Sequence, residues 1–397
     1  MKRKHLFSTV ALIIVCVITA YGFISYRRPL PALAVEPTEL VTSKTQTPVL
    51  TWPKYGESSI GAVGYGVLDT NGAQTEVPTA SVAKIMTTLA ILKKYPLTLG
   101  EQGPTITMTA QDVELYNTYV AEQGSVVKVA TGEQLTEYQA LESLLLPSAD
   151  NMADTLAIWA FGSVSSYTTY ANDTAKELGL NNSYFSDASG LSPQTVSNSH
   201  DLVLLGEIAL QNPVVAQIVA ERSASLPVAG EVKNVNWLLG SYGVNGIKTG
   251  NTTQAGGVYL FSAKQTLPSG QSVMIVGSIM GAPTLAQSID DSVPLLQSTE
   301  NNFKSTTLIQ AGQLVGRYNN TWNGTVDAVT AASLSVVTWT GQQVVPVVLL
   351  KPLHTPLAKG YPVGTVTANV GGVSQTVPVI VNKDVSSPPW YWRAFRI

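Results

Sequence analysis

The sequence predicts a mixed α+β/α/β domain followed by a small all-β domain, both behind an N-terminal apolar segment. Three features carry that expectation. Residues 61–69 form an apolar alternating run that leads into Thr70-Asn71-Gly72, a hairpin signal. Past Pro78 the hydrophobic period lengthens to that of a helix, and after Asn301 the chain breaks into short strand-like runs between Gly, Asn and Pro turns.

A chain of 397 residues is too long for one core, so two domains are expected beside any targeting segment. Only 12% of residues are charged, against roughly 25% in ordinary soluble domains. Ser, Thr, Asn, Gln and Gly fill the gap, which describes a folded protein with an uncharged polar surface. A formal charge of −3 without a clustered basic excess excludes nucleic acid as a partner. The one cysteine, Cys16, makes neither an intramolecular disulfide nor a thiolate zinc site, and His5, His200 and His354 lack paired metal-ligand spacing. Catalysis must therefore use hydroxyl, amine or carboxylate groups.

Taken in chain order, Lys2, Arg3 and Lys4 precede Leu6 to Tyr26, which carries no charge. At 1.5 Å per residue that run spans about 31 Å, enough for a bilayer core. Residues 1–28 are thus a signal-anchor or a signal peptide. Arg27-Arg28 after the run favours an anchor, whereas Ala32-Leu33-Ala34 offers a small-x-small cleavage site. The folded part is placed outside the cytoplasm, anchored to the cell membrane or secreted if cleaved. Branched Val15 argues against lipidation of Cys16, which reads as a buried apolar thiol. Residues 29–48, rich in Pro, Thr and Val, read as a linker.

Residues 49–300 are expected to form the catalytic domain. Val82, Ile85, Met86, Leu89 and Leu92 mark one buried helix face. On it Ser81 and Lys84 stand three residues apart and share a side, so a desolvated amine can take the proton of a hydroxyl nucleophile. A second Ser-x-x-Lys, Ser125 to Lys128, lies in a strand-like run where such positions face apart. Ser148 falls between helices expected over Glu137 to Leu146 and Met152 to Phe161; alone it reads as a helix cap. Gly246-Ile247-Lys248-Thr249-Gly250-Asn251 precedes strand-like runs at 257–263 and 273–280, and its Lys-Thr pair offers a cation and a hydroxyl to a carboxylate. His200-Asp201 suggests a triad, but no nucleophile elbow accompanies it, and Asn198 to Asp201 reads better as the start of a helix over 202–210.

The serine, serine and lysine-threonine-glycine elements follow one another at 67 and 100 residues. In that order they resemble the low-molecular-mass penicillin-binding proteins of the peptidase S11 family, the serine-type D-alanyl-D-alanine carboxypeptidases. Val77 to Leu89 resembles the family's nucleophile block. Thr174 to Phe185 with Ser189-Gly190-Leu191 resembles its next segment, and Ile247 to Gly257 its Lys-Thr-Gly strand. The resemblance implies a penicillin-binding, β-lactamase-like transpeptidase fold, with a central antiparallel sheet and a helical subdomain. It implies a hydrolase of cell-wall biogenesis that removes the terminal D-alanine from peptidoglycan stem peptides through an acyl-enzyme and is trapped by β-lactams, without a cofactor or metal.

By the same resemblance Ser81 is the nucleophile, Lys84 the general base and Ser148 the proton relay. Lys248 and Thr249 hold the substrate carboxylate, and the backbone N–H groups of Ser81 and Asn251 form the oxyanion hole. One position departs from the pattern: Asp150 stands where the family usually has Asn, with Asn151 next to it. An ionised Asp only accepts hydrogen bonds, and beside Lys84 it favours the charged amine. Substrate contact is thus expected from Asp150 or Asn151, with activity preserved. The alternatives are a β-lactamase or DD-endopeptidase of the same fold, for the first of which no convincing deacylating Glu is found, and a non-catalytic wall-binding relative.

Residues 301–385 are expected to form the β-rich domain, with strands at 324–327, 334–339, 344–350, 364–368 and 376–381. Pro356 to Gly360 and Val363-Gly364-Thr365 resemble the family's β-sandwich appendage. The tail, 386–397, holds Trp390-Tyr391-Trp392-Arg393-Ala394-Phe395-Arg396, suited to a membrane interface or to docking on the β domain.

Overall fold

A computed structural model describes residues 2–37 and 46–396, with the backbone alone for residues 2–4 and 37. It divides into two compact units, residues 47–304 and residues 305–397 together with the N-terminal segment to 46.

The first unit is built on a five-stranded antiparallel sheet. Its strands run in the order Val244–Thr252, Gly256–Thr266, Ser272–Ala282, Glu57–Ala62, Gly66–Asn71. The first hairpin turns earlier than its sequence suggests. The reversal lies at Val63-Gly64-Tyr65, where Gly64 and Gly66 take φ of +83° and +71°, while Asn71-Gly72 ends the returning strand. Three glycines within six residues offered several positive-φ positions, and the strand pairing selects among them. Between Asn71 and Val244 the chain forms the helical part, whose core includes Ile85, Met86, Leu141, Leu144, Met152 and Leu156, all buried. Two of its helices flank Ser148. Glu137–Leu145 starts with a capping box between Thr136 and Gln139, and Asp150–Phe161 ends at Gly162. The Ser125 to Lys128 stretch is irregular rather than a strand, with Ser125 and Lys128 exposed and Val127 buried. The sheet leaves the Val244–Thr252 strand on its edge, beside the turn that carries Ser81.

In the second unit a six-stranded antiparallel sheet holds the strands Val35–Pro37, Leu314–Asn320, Gly324–Thr330, Val373–Val381, Pro362–Val370 and Val347–Leu350, in that order. Phe303–Ile309 and Leu334–Trp339 pair separately. Part of the expected linker is therefore structured: Leu33 bridges Leu353, and Val35–Pro37 adds an edge strand against Gly316–Tyr318. An edge strand presents unpaired N–H and C=O groups that a short extended segment can satisfy, and five residues between prolines were too few to show a period. Residues 38–45 of that expected linker lie outside the described residues. The helix Lys2–Arg27 contains a stretch long and apolar enough to cross a membrane, and on it Cys16 is exposed rather than buried.

Candidate active site

Ser81 lies in a 3-10 turn, Ala80–Ala83, that runs into the helix Lys84–Lys94. Residues three apart eclipse one another in a 3-10 turn, so the pair keeps the facing expected of it. Lys84 Nζ is 2.8 Å from Ser81 Oγ. The amine is fully buried and has two further partners, Asp150 Oδ1 at 2.6 Å and the Ser189 carbonyl at 2.8 Å.

The helix Asp150–Phe161 supplies the carboxylate from its first residue. Asp150 Oδ2 accepts from the Ser125 N–H at 2.9 Å, and the Asp150 N–H donates to the Ser125 carbonyl at 2.7 Å. One residue on, Asn151 accepts from Val127 N–H and donates to Val127 C=O, both at 3.0 Å. Asn151 is fully buried, and its amide is spent on that loop. This corrects the expectation that it contacts substrate: helix geometry turns the residue after Asp150 by about 100°, away from Lys84. Ser148 is buried and has φ of +68°, a left-handed conformation that costs a non-glycine residue energy. The cap of the following helix is Ala149, not Ser148, and makes no side-chain bond, so Ser148 does not take the capping role.

Lys248 and Thr249 are both buried on the edge strand, with Lys248 Nζ 3.0 Å from the Thr249 carbonyl. Burial first, and then the charge of Lys84, hold the Lys248 amine well below its ordinary pKa; Asp150 opposes the shift. Asn251, further along the strand, is exposed and pairs with Gly257. Between them Gly250 explains its own identity. A Cβ there would sit 3.0 Å from the Ser81 backbone nitrogen and 3.0 Å from Ala80 Cβ, so the bare backbone lets the strand lie against the turn that carries Ser81.

Two contributors went unnoticed in the sequence. The Ser189 carbonyl and the Ser125 peptide act through backbone atoms, which no residue type announces. A third, Asp154, had a visible signal, being one helical turn beyond Asp150. Burial, as the largest cause, raises its carboxyl to about 6, and Tyr119 donates to it at 2.8 Å. His200 Nδ1 lies 3.3 Å from Asp201 Oδ1, and Asn198 accepts from the Asp201 N–H at 2.8 Å, a helix start as read. Among the described residues no group of three or more His, Cys, Asp or Glu side chains is placed to hold a metal.

Residues 63–284, more than half of the chain, match the family described as D-alanyl-D-alanine carboxypeptidase. The chain belongs to that family. Similar relatives include the D-alanyl-D-alanine carboxypeptidases DacF of Bacillus subtilis, 24% identical over 80% of this chain and 82% of the relative, and DacC of Escherichia coli, 26% identical over 83% of each. Penicillin binding protein 5 from Haemophilus influenzae shares the fold at a TM-score of 0.60, with 22% identity over 87% of this chain and all of that one. The matched residues of this serine carboxypeptidase include Ser81, Lys84, Ser148, Asp150 and Lys248. Its fold is accordingly the mixed α/β fold of the penicillin-binding DD-peptidases, with the antiparallel sheet as expected.

Proposed function

We propose that the protein removes the terminal D-alanine from peptidoglycan stem peptides at the outer face of a membrane, with Ser81 as nucleophile and Lys84 as its base. The observation that carries this reading is the set of partners around Lys84. A neutral amine has two N–H bonds and one lone pair. Lys84 Nζ donates to Asp150 Oδ1, to the Ser189 carbonyl and to Ser81 Oγ; with the first two held by pure acceptors, the proton given up for catalysis is the one aimed at Ser81, and the lone pair it leaves faces that hydroxyl.

In the acylation step Ser81 Oγ bonds to the carbonyl carbon between the two D-alanines, and its proton passes to Lys84 Nζ. The negative oxygen of the tetrahedral species meets the N–H groups of Ser81 and Asn251. When the C–N bond breaks, the departing D-alanine nitrogen takes a proton through Ser148, leaving an ester on Ser81. Water then attacks the ester, gives a proton back through Lys84, and frees the shortened peptide and the Ser81 hydroxyl. Lys248 and Thr249 hold the substrate's terminal carboxylate, whose arrival supplies the buried lysine with a counter-charge. A β-lactam acylates Ser81 by the same first step, but its nitrogen stays attached.

Asp150 has a different place from that of a substrate contact. Both of its oxygens are engaged, by Lys84 and by Ser125, so it is a positioning residue for the base. The N-terminal helix is the membrane anchor.

The experiment is labelling with a fluorescent penicillin alongside an assay of D-alanine release from a stem pentapeptide. Wild type is expected to form a covalent adduct and release D-alanine, and Ser81→Ala to do neither. An adduct that survives in Ser81→Ala would remove the nucleophile from the reading; fast penicillin turnover without D-alanine release would make the protein a β-lactamase.

A further inference from the structure

The two ends of the chain meet in the unit that carries the C-terminal β domain. The helix Trp390–Phe395 lies along the last turns of the N-terminal helix, in contact with it at Gly22. A Cβ at Gly22 would stand 3.9 Å from Ala394 Cβ and 3.8 Å from the Phe395 ring. The last carbonyls of any helix lack intrahelical partners and attract cations. Here arginines from the other end of the chain supply them. Arg393 Nη2 donates to the Tyr26 carbonyl at 3.1 Å, and Arg396 Nη2 lies 3.3, 3.2 and 3.4 Å from the carbonyls of Ser25, Arg28 and Pro29. The Arg393 guanidinium also sits 4.5 Å from the centre of the Tyr26 ring.

The contact continues into the β domain. Trp392 is buried and packs on Trp322 at 4.6 Å between ring centres, and the Trp322 indole donates to the Ser386 carbonyl at 3.0 Å. A second attachment lies just past the helix. Leu33, in the middle of the small-x-small sequence, is buried and exchanges backbone hydrogen bonds with Leu353. Cleavage after Ala34 would remove the carbonyls that Arg393 and Arg396 bind and the side chain seated at Leu33.

We infer that the C-terminal helix is a clamp on the membrane anchor: it grips the outer end of the N-terminal helix, which the mature protein therefore retains as part of its folded β domain. The clamp accounts for the composition of the tail, whose two arginines and inner tryptophan are used on the anchor and the β domain. Trp390 and Tyr391 stay exposed, and Arg27 and Arg28 close the apolar run; these are residue types that settle at the headgroup level where an apolar span ends. The inference rests on the reading of the N-terminal helix as a membrane span.

The test uses the full-length protein in membranes, with Cys16→Ser to remove the native thiol and Gly22→Cys with Ala394→Cys as a reporter pair. Their Cβ separation falls in the range a disulfide needs. Copper phenanthroline is expected to give an intramolecular cross-link that reductant reverses, and the intact mass of the extracted protein is expected to include residues 1–34. No cross-link, or a mature chain that begins at Val35, overturns the inference. As a second arm, a stop codon in place of Pro389 is expected to leave the protein in the carbonate-washed membrane fraction while protease cuts between Arg28 and Gln46 about tenfold faster, as local opening without the clamp predicts. Release of that truncated protein into the soluble fraction would make the tail an anchor in its own right and refute the clamp. A full-length chain that keeps its N-terminus yet is soluble would instead defeat the membrane reading, and the cross-link would still report on the clamp.

Discussion

Lys84 shows how closely one buried amine is specified. It donates to Asp150 Oδ1 on one side and to the Ser189 carbonyl on another, and its third hydrogen bond is aimed at Ser81 Oγ. On the proposed reading, in which Asp150 positions Lys84 rather than contacting substrate, its loss should lower kcat and spare KM. Asp150→Ala is expected to reduce kcat about 100-fold with KM changed less than about threefold, and Asp150→Asn, which keeps an oxygen for Lys84, to recover part of the rate. Melting curves accompany the kinetics, since removing one partner of a buried pair costs about 3–5 kcal/mol of stability. A KM that rises while kcat holds would return Asp150 to the substrate, and Asp150→Asn many-fold faster than an almost inert wild type would make the carboxylate inhibitory. The resemblance marked Asp150 as an anomaly, since it stands where the family usually has Asn. It did not announce the partner, because Ser125 contributes only its peptide group.

At the scale of elements, the helix starting at Glu137 illustrates both the strength and the limit of local patterns. The capping box Thr136 and Gln139 begins it within a residue of the expected start. Yet Glu137 itself, suited by charge to a first turn, is fully buried, and neither of its carboxylate oxygens has a hydrogen-bond partner among the described residues. Burial pushes its carboxyl from an ordinary 4.5 up to about 7. The folded chain thus holds a proton that the unfolded chain has released, so this group's contribution to stability is complete below about pH 4.5 and lost as pH rises through about 7. Glu137→Gln should accordingly melt about 2–4 °C above wild type at pH 8, the equivalent of roughly 1 kcal/mol, and close to it at pH 5. Thermal melts at the two pH values check this; an equal shift at both would trace the effect to packing. The hairpin teaches the complementary lesson. Asn71-Gly72 is the stronger turn dipeptide, but register with the Ser272–Ala282 strand requires the reversal at Gly64.

For the molecule as a whole, the division into residues 47–304 and the remainder gathers every residue of the candidate site into one unit. That unit has its own sheet and its own helical core. Residues 47–304 expressed alone are expected to unfold in a single cooperative transition and to take up fluorescent penicillin at Ser81. Failure to label, with the transition intact, would mean that the C-terminal β domain contributes to the site.

Ser81 facing Lys84, the strand that carries Lys248 and Thr249, and the apolar N-terminal helix were all legible in the linear chain, because each is a local matter of residue type and spacing within a few positions. Asn151 turning to Val127, Asp150 settling on the Ser125 peptide, Gly250 lying against Ser81, and Arg393 and Arg396 closing on the far end of the chain were not legible. Each of those contacts joins residues distant in sequence, several through backbone atoms common to every residue type, and such contacts exist only once a packed fold has brought the groups within hydrogen-bonding distance.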